Sequence, residues 1–365
     1  MPSALIANVE KIEEIQPHSN ADRMEMARVK NWWCVVKLNE FKVGDKIVYI
    51  PPETVVPRTV AESWGVANYC SKLPKQSDGT QSDDLRIRAT RLRGVPSYGL
   101  ILPLENPDWE VGHSVVEHYG LSKYDPPPPP NAGDVDREPP NFHRYTNIEN
   151  IGNFPEIFED GEEVVVDEKI HGMNGRTGLC FDHEGNMLFM AGSHRQRLKE
   201  MNAAGIRSTF WTPMDERMKE LLKKVSENET KNVITFVEVF GRKVQDMEYG
   251  MNAIGYRAYD ISVNGMYVSY DEKVDLFKEF DIEVAPLLYR GPFSMAKMRE
   301  IVDGPTTLCQ PEKAGRFKGR EGIVIRPVVE TTHPLLSGGG KSGRKILKMI
   351  SIDYHDRKGN KTEYQ

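Results

Sequence analysis

The chain has 365 residues, of which 39% are hydrophobic and 28% charged, and its formal net charge is −6 at pH 7. This is the composition of a globular protein long enough for two domains, and it excludes a chain that coats nucleic acid through overall positive charge. A local basic patch can still bind phosphate. No apolar run approaches the roughly 20 residues of a membrane helix, and four scattered cysteines suit reduced thiols. We expect an intracellular, soluble protein without membrane contact.

Short β-forming runs separated by turn residues dominate residues 4–104, among them "RMEMARVK", "WWCVVKL" and "DKIVYIP". This pattern predicts a small β-barrel. Arg86 and Arg88 are two residues apart, as are Arg91 and Arg93, so each pair is predicted to share a strand face. Four such arginines suit phosphate contacts. A solvated strand edge that resists aggregation explains them equally well.

Five consecutive prolines at residues 126–130 make the sharpest break in the chain. Such a run forbids helix and central strand, and it forms a stiff spacer on the order of 15 Å long. We therefore predict a barrel module at 1–122, a proline-rich linker at 123–141 and a second domain at 142–365.

Beyond the linker, predicted strands outnumber helices. "TPMDERMKELLKKVSEN" predicts an amphipathic helix because Met218, Leu221, Leu222 and Val225 follow helical spacing. The runs "VITFVEVFG", "YRAYDISV", "GIVIRPVVE" and "RKILKMIS" predict strands, and most gaps between strands are of hairpin length. This pattern favours an α+β fold with mostly antiparallel sheets.

The stretch "VVVDEKIHGMNGRTG" places Lys169 at the end of a buried strand, before His171 and three glycines. A lysine in that position is most often a solvated charge that protects a sheet edge. Alternatively, Gly172 and Gly175 let a ligand approach the backbone closely, which makes Lys169 a candidate nucleophile.

Charged residues interrupt or adjoin several other apolar strands: Glu238, Glu321, Arg326 and Lys348. Each one alone is commonly a surface position or half of an ion pair. Together with Lys169 they favour a shared polar cleft, because a buried charge is costly unless it is paired or faces a ligand. Carboxylates and lysines suit a nucleoside triphosphate held with Mg²⁺, with Lys169 attacking the α-phosphorus.

Five stretches in order, "EKIHGMNGR", "TFVEVFG", "YRAYDI", "EGIVIRP" and "KILKMIS", resemble the nucleotidyltransferase motifs of ATP-dependent RNA ligases. These ligases are a branch of the covalent nucleotidyltransferase superfamily, and the resemblance covers residues 142–355. The stretches "PHSNADRMEMARVKNWWCVV" and "FKVGDKIVYIP" are similar to the OB-fold module that begins one branch of these ligases, and also to tRNA-binding OB modules.

The resemblance implies that Lys169 is adenylylated by ATP and passes AMP to an RNA 5′-phosphate, after which a 3′-OH attacks and AMP leaves. It implies that Glu238 and Glu321 assist a catalytic Mg²⁺ or Mn²⁺, and that Lys348 contacts the α-phosphate. It assigns RNA binding to the barrel, through Arg86, Arg88, Arg91 and Arg93. The other nucleotide contacts that it implies are Glu168 with the backbone near Ile170, His171, Asn174, Tyr256 stacked on adenine, Arg326, Lys345, and either Arg195 or Arg197.

Two departures from the family pattern affect the metal and the phosphate contacts. His171 stands where DNA ligases and capping enzymes usually have aspartate, which resembles RNA ligases and removes one carboxylate from the outer shell of the metal. Ile350 replaces the second lysine that many relatives have in the last motif. Strand alternation turns Lys345 to the face opposite Lys348, so its part in nucleotide binding is left open.

Two alternative functions have less support. DNA ligases and capping-type nucleotidyltransferases normally carry an OB domain after the last motif, but only 17 residues follow Lys348. A non-catalytic tRNA- or RNA-binding protein has no reason to keep Lys169, Glu238, Glu321 and Lys348 together. We therefore predict a monomeric, ATP-dependent RNA ligase of RNA repair that joins the ends of a nicked duplex or other paired RNA ends.

Overall fold

The computed structural model describes residues 5–75, 80–125, 134–315, 317–338 and 341–356. They form two compact units: the described residues up to 125 together with 151–155, and the described residues 134–150 together with those from 156 onward. The predicted proline spacer at 126–130 lies outside the described residues, and the three predicted domain ranges stay predictions. No helix in the described ranges is long and apolar enough to span a membrane.

The first unit consists mainly of short antiparallel strands, with one α-helix among its described residues, as the alternation of β-runs and turns predicts. The elements are β1 (Asn8–Lys11), β2 (Glu14–Pro17), β3 (Met24–Val29), β4 (Trp32–Lys37), β5 (Lys46–Ile50), β6 (Thr54–Val56), α1 (Arg58–Ser63), β7 (Ser71–Lys72), β8 (Leu85–Arg86), β9 (Thr90–Leu92), β10 (Val95–Ser97), β11 (Leu100–Pro103) and β12 (Ser122–Lys123). The sheets have the orders β1–β5–β11, β2–β3–β4, β9–β10 and β12–β6–β8–β7. Strand β5 is buried on both faces, because Val48 and Ile50 enter one apolar cluster while Ile47 and Tyr49 enter another.

The predicted arginine pairs do not share strand faces. Arg86 is the last residue of β8; it is buried, forms an ion pair with Glu53, and its guanidinium carbon lies 3.8 Å from the ring centroid of Tyr124. Arg93 lies in the turn between β9 and β10, at a φ of 48°. A carboxylate and an aromatic ring thus contact the Arg86 guanidinium, and its contact with phosphate stays a prediction.

The second unit is built mainly from strands. They are β13 (Glu149–Asn150), β14 (Glu163–Lys169), β15 (Met173–Phe181), β16 (Met187–Ser193), β17 (Arg197–Leu198), β18 (Val233–Gly241), β19 (Ile254–Val263), β20 (Met266–Tyr267), β21 (Leu287–Pro292), β22 (Gly322–Pro327), β23 (Thr332–Gly338), β24 (Lys341–Arg344) and β25 (Leu347–Ile350). Two main sheets result, a five-stranded one of order β13–β25–β22–β14–β21 and a six-stranded one of order β17–β16–β15–β18–β19–β20. Among the named strands only β13 and β25 pair in parallel, so the predicted α+β class with mostly antiparallel sheets is confirmed.

Four helices accompany these sheets: α2 (Glu216–Val225), α3 (Tyr270–Glu279), α4 (Met295–Val302) and α5 (Ile352–Asp356). The predicted amphipathic helix is α2, which begins at the N-cap Asp215 and buries Met218, Leu221 and Leu222. Helices α3 and α4 were not predicted from the sequence. In α3 the inward face carries Lys273, and this charge at a buried position interrupts the apolar periodicity that identifies a helix.

A buried ion network joins the two main sheets of this unit. Arg326 on β22 donates to Asp167 on β14 at 2.9 Å and to Asp260 on β19 at 3.2 Å, and Arg344 donates to Asp260 at 2.9 Å. Burial alone would raise the pKa of Asp260, but Arg344, Lys273 and Arg326 hold it well below its usual range. Asp260 is therefore ionised, and it binds cations from outside its own sheet.

Replacing Asp260 with asparagine should destabilise the second unit strongly. The Asp260→Asn variant leaves the buried guanidinium groups of Arg326 and Arg344 with less compensation, a type of loss that typically costs about 3–5 kcal/mol. Urea unfolding measures the change. Asp281→Asn is the matched control, because the Asp281 side chain is 95% exposed, and it should stay within about 0.5 kcal/mol of the unaltered protein. Equal stabilities for the two variants would contradict this role of the network.

Candidate active site

Lys169, the last residue of β14, is paired and largely buried. Its Nζ lies 2.8 Å from Oε1 of Glu321, and about a tenth of each side chain is exposed. Glu321 directly precedes β22, whose first residue, Gly322, is the register partner of Lys169. Lys169 is therefore not the solvated edge charge that its position after a strand most often indicates.

Lys348 extends from the same face of the five-stranded sheet as Lys169. Val324 on β22 pairs with Asp167 on one side and with Lys348 on the other. Directly opposed residues and residues two apart along a strand share a face, so Asp167, Lys169 and Lys348 lie on one side of this sheet. The structure thus brings two predicted lysines to a common face.

The six-stranded sheet supplies a second group of polar side chains. Asn174 on β15 is the register partner of Glu238 on β18, and Asn174 Nδ2 donates to the hydroxyl of Tyr259 on β19 at 2.5 Å. A Cβ atom built on Gly172 would lie 3.0 Å from Glu238 Cγ, which places Glu238 beside the turn that follows Lys169. Glu238 and Asn174 therefore adjoin the lysine end of β14.

The glycines after Lys169 allow strands to pack closely, which is a different role from the one proposed from the sequence. A Cβ atom on Gly172 would lie 2.5 Å from the carbonyl oxygen of Val239, and one on Gly175 would lie 3.2 Å from Cγ2 of Val237. Both neighbours belong to β18. The interpretation that these two glycines open the backbone to a ligand is therefore wrong.

Tyr256, predicted to stack on adenine, lies on the opposite face of the six-stranded sheet. It pairs with Val239, packs in the apolar cluster beneath α2, and its hydroxyl donates to the N-cap Asp215 at 3.2 Å. Of the two tyrosines in "YRAYDI", Tyr259 is the one on the Glu238 side of the sheet. A register shift in the pairing of β18 with β19 leaves Tyr259 without a direct partner and reverses the alternation there, and nothing in "YRAYDI" reveals this shift.

Glu168 and Ile170 flank Lys169 on the opposite face of β14. The Glu168 carboxylate accepts hydrogen bonds from Thr306 Oγ1 at 2.5 Å, Thr307 N at 2.7 Å and Thr307 Oγ1 at 2.6 Å. Ile170 is buried in an apolar cluster that includes Phe240. The Glu168 carboxylate is therefore already oriented by three protein hydrogen bonds, and its predicted contact with adenine stays a prediction.

The structure gives Arg326 and Lys345 structural partners, in contrast to their predicted roles as nucleotide ligands. Arg326 is held by Asp167 and Asp260 in the buried network. Lys345 Nζ lies 2.7 Å from the carboxylate of Glu162, which precedes β14 at the end remote from Lys169. Carboxylates of the protein thus pair with both cations, and the nucleotide contacts of Arg326 and Lys345 stay predictions.

Arg195 and Arg197 have different surroundings. Arg197 on β17 forms an ion pair with Asp136 at 3.2 Å and donates to the carbonyl of Arg137 at 2.9 Å. Arg195 lies in the loop after β16, next to His194, whose backbone N–H donates to the Asn174 carbonyl at 3.1 Å. The assignment of one of these two arginines to the nucleotide stays a prediction.

His171 is almost fully buried and held by residues that sequence reasoning did not identify. Its Nε2 lies 2.6 Å from Oδ1 of Asp246, its Nδ1 lies 2.8 Å from the Tyr354 hydroxyl, and its backbone N–H donates to the Tyr249 hydroxyl at 2.8 Å. All three partners lie outside the motif stretches. Two of these partners, Asp246 and Tyr249, lie in "QDMEYG", which begins four residues after the end of β18.

The donor set fits a hard divalent cation shared with a nucleotide. Glu321 pairs with Lys169, and Glu238 lies beside the turn that follows it, so two carboxylates adjoin the lysine. Burial raises the pKa of Tyr249, and the negative charges of Glu321, Glu168 and Glu238 raise it further. Carboxylate oxygens suit Mg²⁺ or Mn²⁺, which commonly take their remaining ligands from phosphate and water. The described residues contain no group of three or more His, Cys, Asp or Glu side chains that could hold a metal.

Comparison with known proteins identifies both parts of the chain. A family model described as an OB-fold domain matches residues 6–104, and one described as RNA ligase matches residues 162–350. The second match spans more than half of the chain, and the chain belongs to the RNA ligase family. The predicted class of enzyme, with its OB-fold module, is confirmed, and the two alternative functions are not favoured.

Solved structures show the same fold at low sequence identity. Naegleria gruberi RNA ligase with PPi is 24% identical at a TM-score of 0.72, and 97% of this chain and 98% of that chain are covered. A lysine-to-alanine variant of that ligase with ATP and Mn is 23% identical at a TM-score of 0.74, covering 96% and 98%. A lysine-to-methionine variant with AMP and Mn is 23% identical at 0.73, covering 97% and 99%. No curated protein matches the chain.

Lys273 on α3 holds the backbone of Tyr259 through a hydrogen bond. Its Nζ donates to the Tyr259 carbonyl at 2.6 Å and lies 3.7 Å from Asp260 Oδ1, while the side chain is almost completely buried. Burial lowers the pKa of Lys273 to about 8, although the adjacent carboxylates oppose this shift. The folded protein therefore binds the lysine proton less tightly than the unfolded chain.

Stability should rise with pH because of Lys273. Between pH 8 and roughly 10.4 the unfolded lysine is protonated more fully than the folded one, so the free energy of unfolding increases by up to about 1.4 kcal/mol per pH unit. Lys273→Met removes this contribution. Urea unfolding of both proteins at pH 7.5 and pH 10 measures the difference, which should favour the unaltered protein more at the higher pH. A difference that does not change with pH would rule out the lowered pKa.

Proposed function

We propose that this protein is an ATP-dependent RNA ligase that seals 5′-phosphate and 3′-OH RNA ends through lysyl-AMP and RNA-adenylate intermediates. The observation that carries the proposal is the pairing of Lys169 with Glu321 at the end of β14, with Lys348 on the same sheet face and Glu238 beside the following turn. ATP and Mg²⁺ or Mn²⁺ are the proposed cofactors. The RNA ends are those of a nicked duplex or paired ends, and the protein acts as a monomer.

In the first step the lone pair of Lys169 Nζ attacks the α-phosphorus of ATP. A P–N bond forms, the bond to the bridging oxygen of the β-phosphate breaks, pyrophosphate leaves and Nζ releases a proton. Glu321 orients Nζ by accepting its hydrogen bond. Lys348, a second cation on the same face, favours the uncharged amine and contacts the α-phosphate. A divalent ion held through Glu238 and Glu321 would neutralise phosphate charge.

In the second step an oxygen of the RNA 5′-phosphate attacks the phosphorus of lysyl-AMP. The P–N bond breaks, and Lys169 regains its amine. In the third step a 3′-OH attacks the activated 5′-phosphate, a phosphodiester bond forms, and AMP leaves. Holding the two ends in line with the adenylate is a task of positioning, and such positioning can supply several kcal/mol.

The remaining nucleotide contacts are proposed for side chains around the same cluster. Tyr259, on the Glu238 side of the six-stranded sheet, takes the stacking role first given to Tyr256. Asn174 faces the ribose or the RNA end, Arg195 contacts the ribose or a phosphate, and the backbone near Ile170 reads the adenine edge. The OB-fold module contacts RNA phosphates through its exposed arginines. This assignment keeps the proposed division into 1–122, 123–141 and 142–365.

Lys169 should be the residue that carries the covalent AMP. With labelled ATP and Mg²⁺ the protein should gain one AMP that survives denaturing electrophoresis, and Lys169→Ala should abolish the label. Lys345→Ala is the matched control, since Lys345 is paired with Glu162 at the far end of β14 and should stay labelled. Persistent labelling of a folded Lys169→Ala variant would disprove the nucleophile assignment.

The strand that supplies the 3′-OH should need a ribonucleotide at its terminus. A site that recognises the 2′-OH and the A-form geometry that it favours discriminates against a deoxyribose end. Paired nicked substrates that differ only in the terminal sugar test this with a single sealing assay. Equal sealing rates would argue for a DNA ligase.

Replacing Arg88, Arg91 and Arg93 with alanine should weaken RNA binding most at low salt. Each lost phosphate contact should reduce the slope of log K against log salt by about 1. Arg58→Ala, on α1 of the same unit, is the control and should leave the slope unchanged. Arg86 is left intact, because its ion pair with Glu53 is part of the barrel. An unchanged slope in the triple variant would show that these arginines do not contact RNA.

A further inference from the structure

A short loop between β18 and β19 holds the turn that follows Lys169. From this loop Gln245 Nε2 donates to the Gly172 carbonyl at 3.0 Å, Asp246 accepts from His171 Nε2 at 2.6 Å, and the Tyr249 hydroxyl accepts from the His171 backbone at 2.8 Å. Tyr249 adopts a φ of 50°, an uncommon conformation for an aromatic residue. Three of five consecutive residues, 245–249, thus bond to a two-residue turn.

These contacts determine which nitrogen of His171 carries the hydrogen. A carboxylate only accepts hydrogen bonds, so the Nε2 that faces Asp246 must be the protonated nitrogen. In the neutral ring Nδ1 is then an acceptor, and the Tyr354 hydroxyl, 2.8 Å away, donates to it. Asp246 and Tyr354 come from different elements, and together they select one tautomer.

The tautomer of His171 determines whether its ring can donate a hydrogen bond to Glu321. Nδ1 of His171 lies 3.9 Å from Oε2 of Glu321, while Oε1 of the same carboxylate pairs with Lys169 Nζ at 2.8 Å. An Nδ1 without hydrogen cannot donate a hydrogen bond to Glu321, so the Glu321 carboxylate remains paired with Lys169. The other tautomer would direct an N–H at Glu321 and compete with Lys169 for it.

We propose that Asp246 is a positioning residue for lysine adenylylation, which keeps His171 in the Nε2–H tautomer so that Glu321 remains bound to Lys169. The proposal rests on the proposed function, since it names a further requirement of the same step. It also gives a role to the histidine that replaces the aspartate of related nucleotidyltransferases. The His171 ring occupies that position, and the Asp246 carboxylate binds the ring at Nε2.

The tautomer is measured directly by NMR of protein carrying ¹⁵N-labelled histidine. The two ring nitrogens of His171 have different shifts according to which one is protonated, and a His171→Gln variant assigns the signals. The unaltered protein should show the Nε2–H form. In Asp246→Asn, whose amide can donate to Nε2, a detectable fraction should change to the Nδ1–H form. The Asp246 side chain is 54% exposed, so this variant should fold.

Kinetics of AMP transfer test the consequence. In Asp246→Asn the rate of lysyl-AMP formation at saturating ATP should fall on the order of 10- to 100-fold, the usual effect of losing a group that orients a histidine. The ATP concentration for half-maximal rate should stay the same, because the proposal has Asp246 act through His171 and not on the nucleotide. Asp246→Glu, which keeps a carboxylate, should retain most of the rate. Glu248→Gln, which alters another exposed carboxylate of the same loop, should match the unaltered protein.

Three results are decisive. A normal rate and an unchanged tautomer in Asp246→Asn would overturn the proposal. A reduced rate with an unchanged tautomer would overturn the proposal too, since Asp246 would then affect the rate without acting through the tautomer of His171. An unaltered protein that never gains AMP would instead refute the proposed function, and the NMR measurement would still decide whether Asp246 sets the state of His171.

Discussion

The buried carboxylate of Asp260 is the constraint on which the second unit depends. It accepts hydrogen bonds from Arg326 and Arg344, and Arg326 also binds Asp167 in the five-stranded sheet. Each acidic residue adjoins a residue of the candidate site, because Lys169 follows Asp167 by two positions and Tyr259 directly precedes Asp260. A network that fixes the two carboxylates therefore also fixes the two sides of the polar cluster relative to each other.

Stability alone does not account for such a network. Well-packed apolar residues are often as stabilising as buried ion pairs, so the more informative property is geometric specificity. A slip of one residue between β14 and β22 would turn Asp167 and Lys169 to the opposite face. It would also separate Asp167 from Arg326. The Arg326–Asp167 ion pair thus destabilises the shifted pairing of β14 with β22, in which Lys169 points away from Glu238 and Lys348.

Much of this architecture was predictable from local patterns. The limits of β18 follow the apolar run "VITFVEVFG", and α2 follows its apolar spacing from Met218 to Val225. The cluster of Lys169 with Glu321 was also predictable, since charges that interrupt apolar strands need partners or ligands. Local patterns therefore sufficed for regular strands and for the existence of a polar cluster.

Features that depend on distant contacts were not predictable. The register shift at Tyr259 arises from the pairing of two strands, and it places Tyr259, not Tyr256, on the Glu238 side of the sheet. The ion pair of Arg86 was not visible in the spacing of the arginines, because its partner Glu53 lies 33 residues earlier in the chain. The partners of His171 come from a loop and a helix about 75 and 183 residues further along. Contacts between residues so far apart in the chain cannot be recognised from the spacing of residues in the sequence.

A crystal structure with an ATP analogue whose α,β-bridging oxygen is replaced by methylene tests the central claim most directly, because this nucleotide cannot transfer AMP. The account predicts that its α-phosphorus lies about 3–3.5 Å from Lys169 Nζ, the separation of a reactive complex. It also predicts that Lys348 contacts the α-phosphate and that adenine lies against Tyr259. A nucleotide bound instead in the surface hollow lined by Val274, Ile282 and Leu308 would contradict the account.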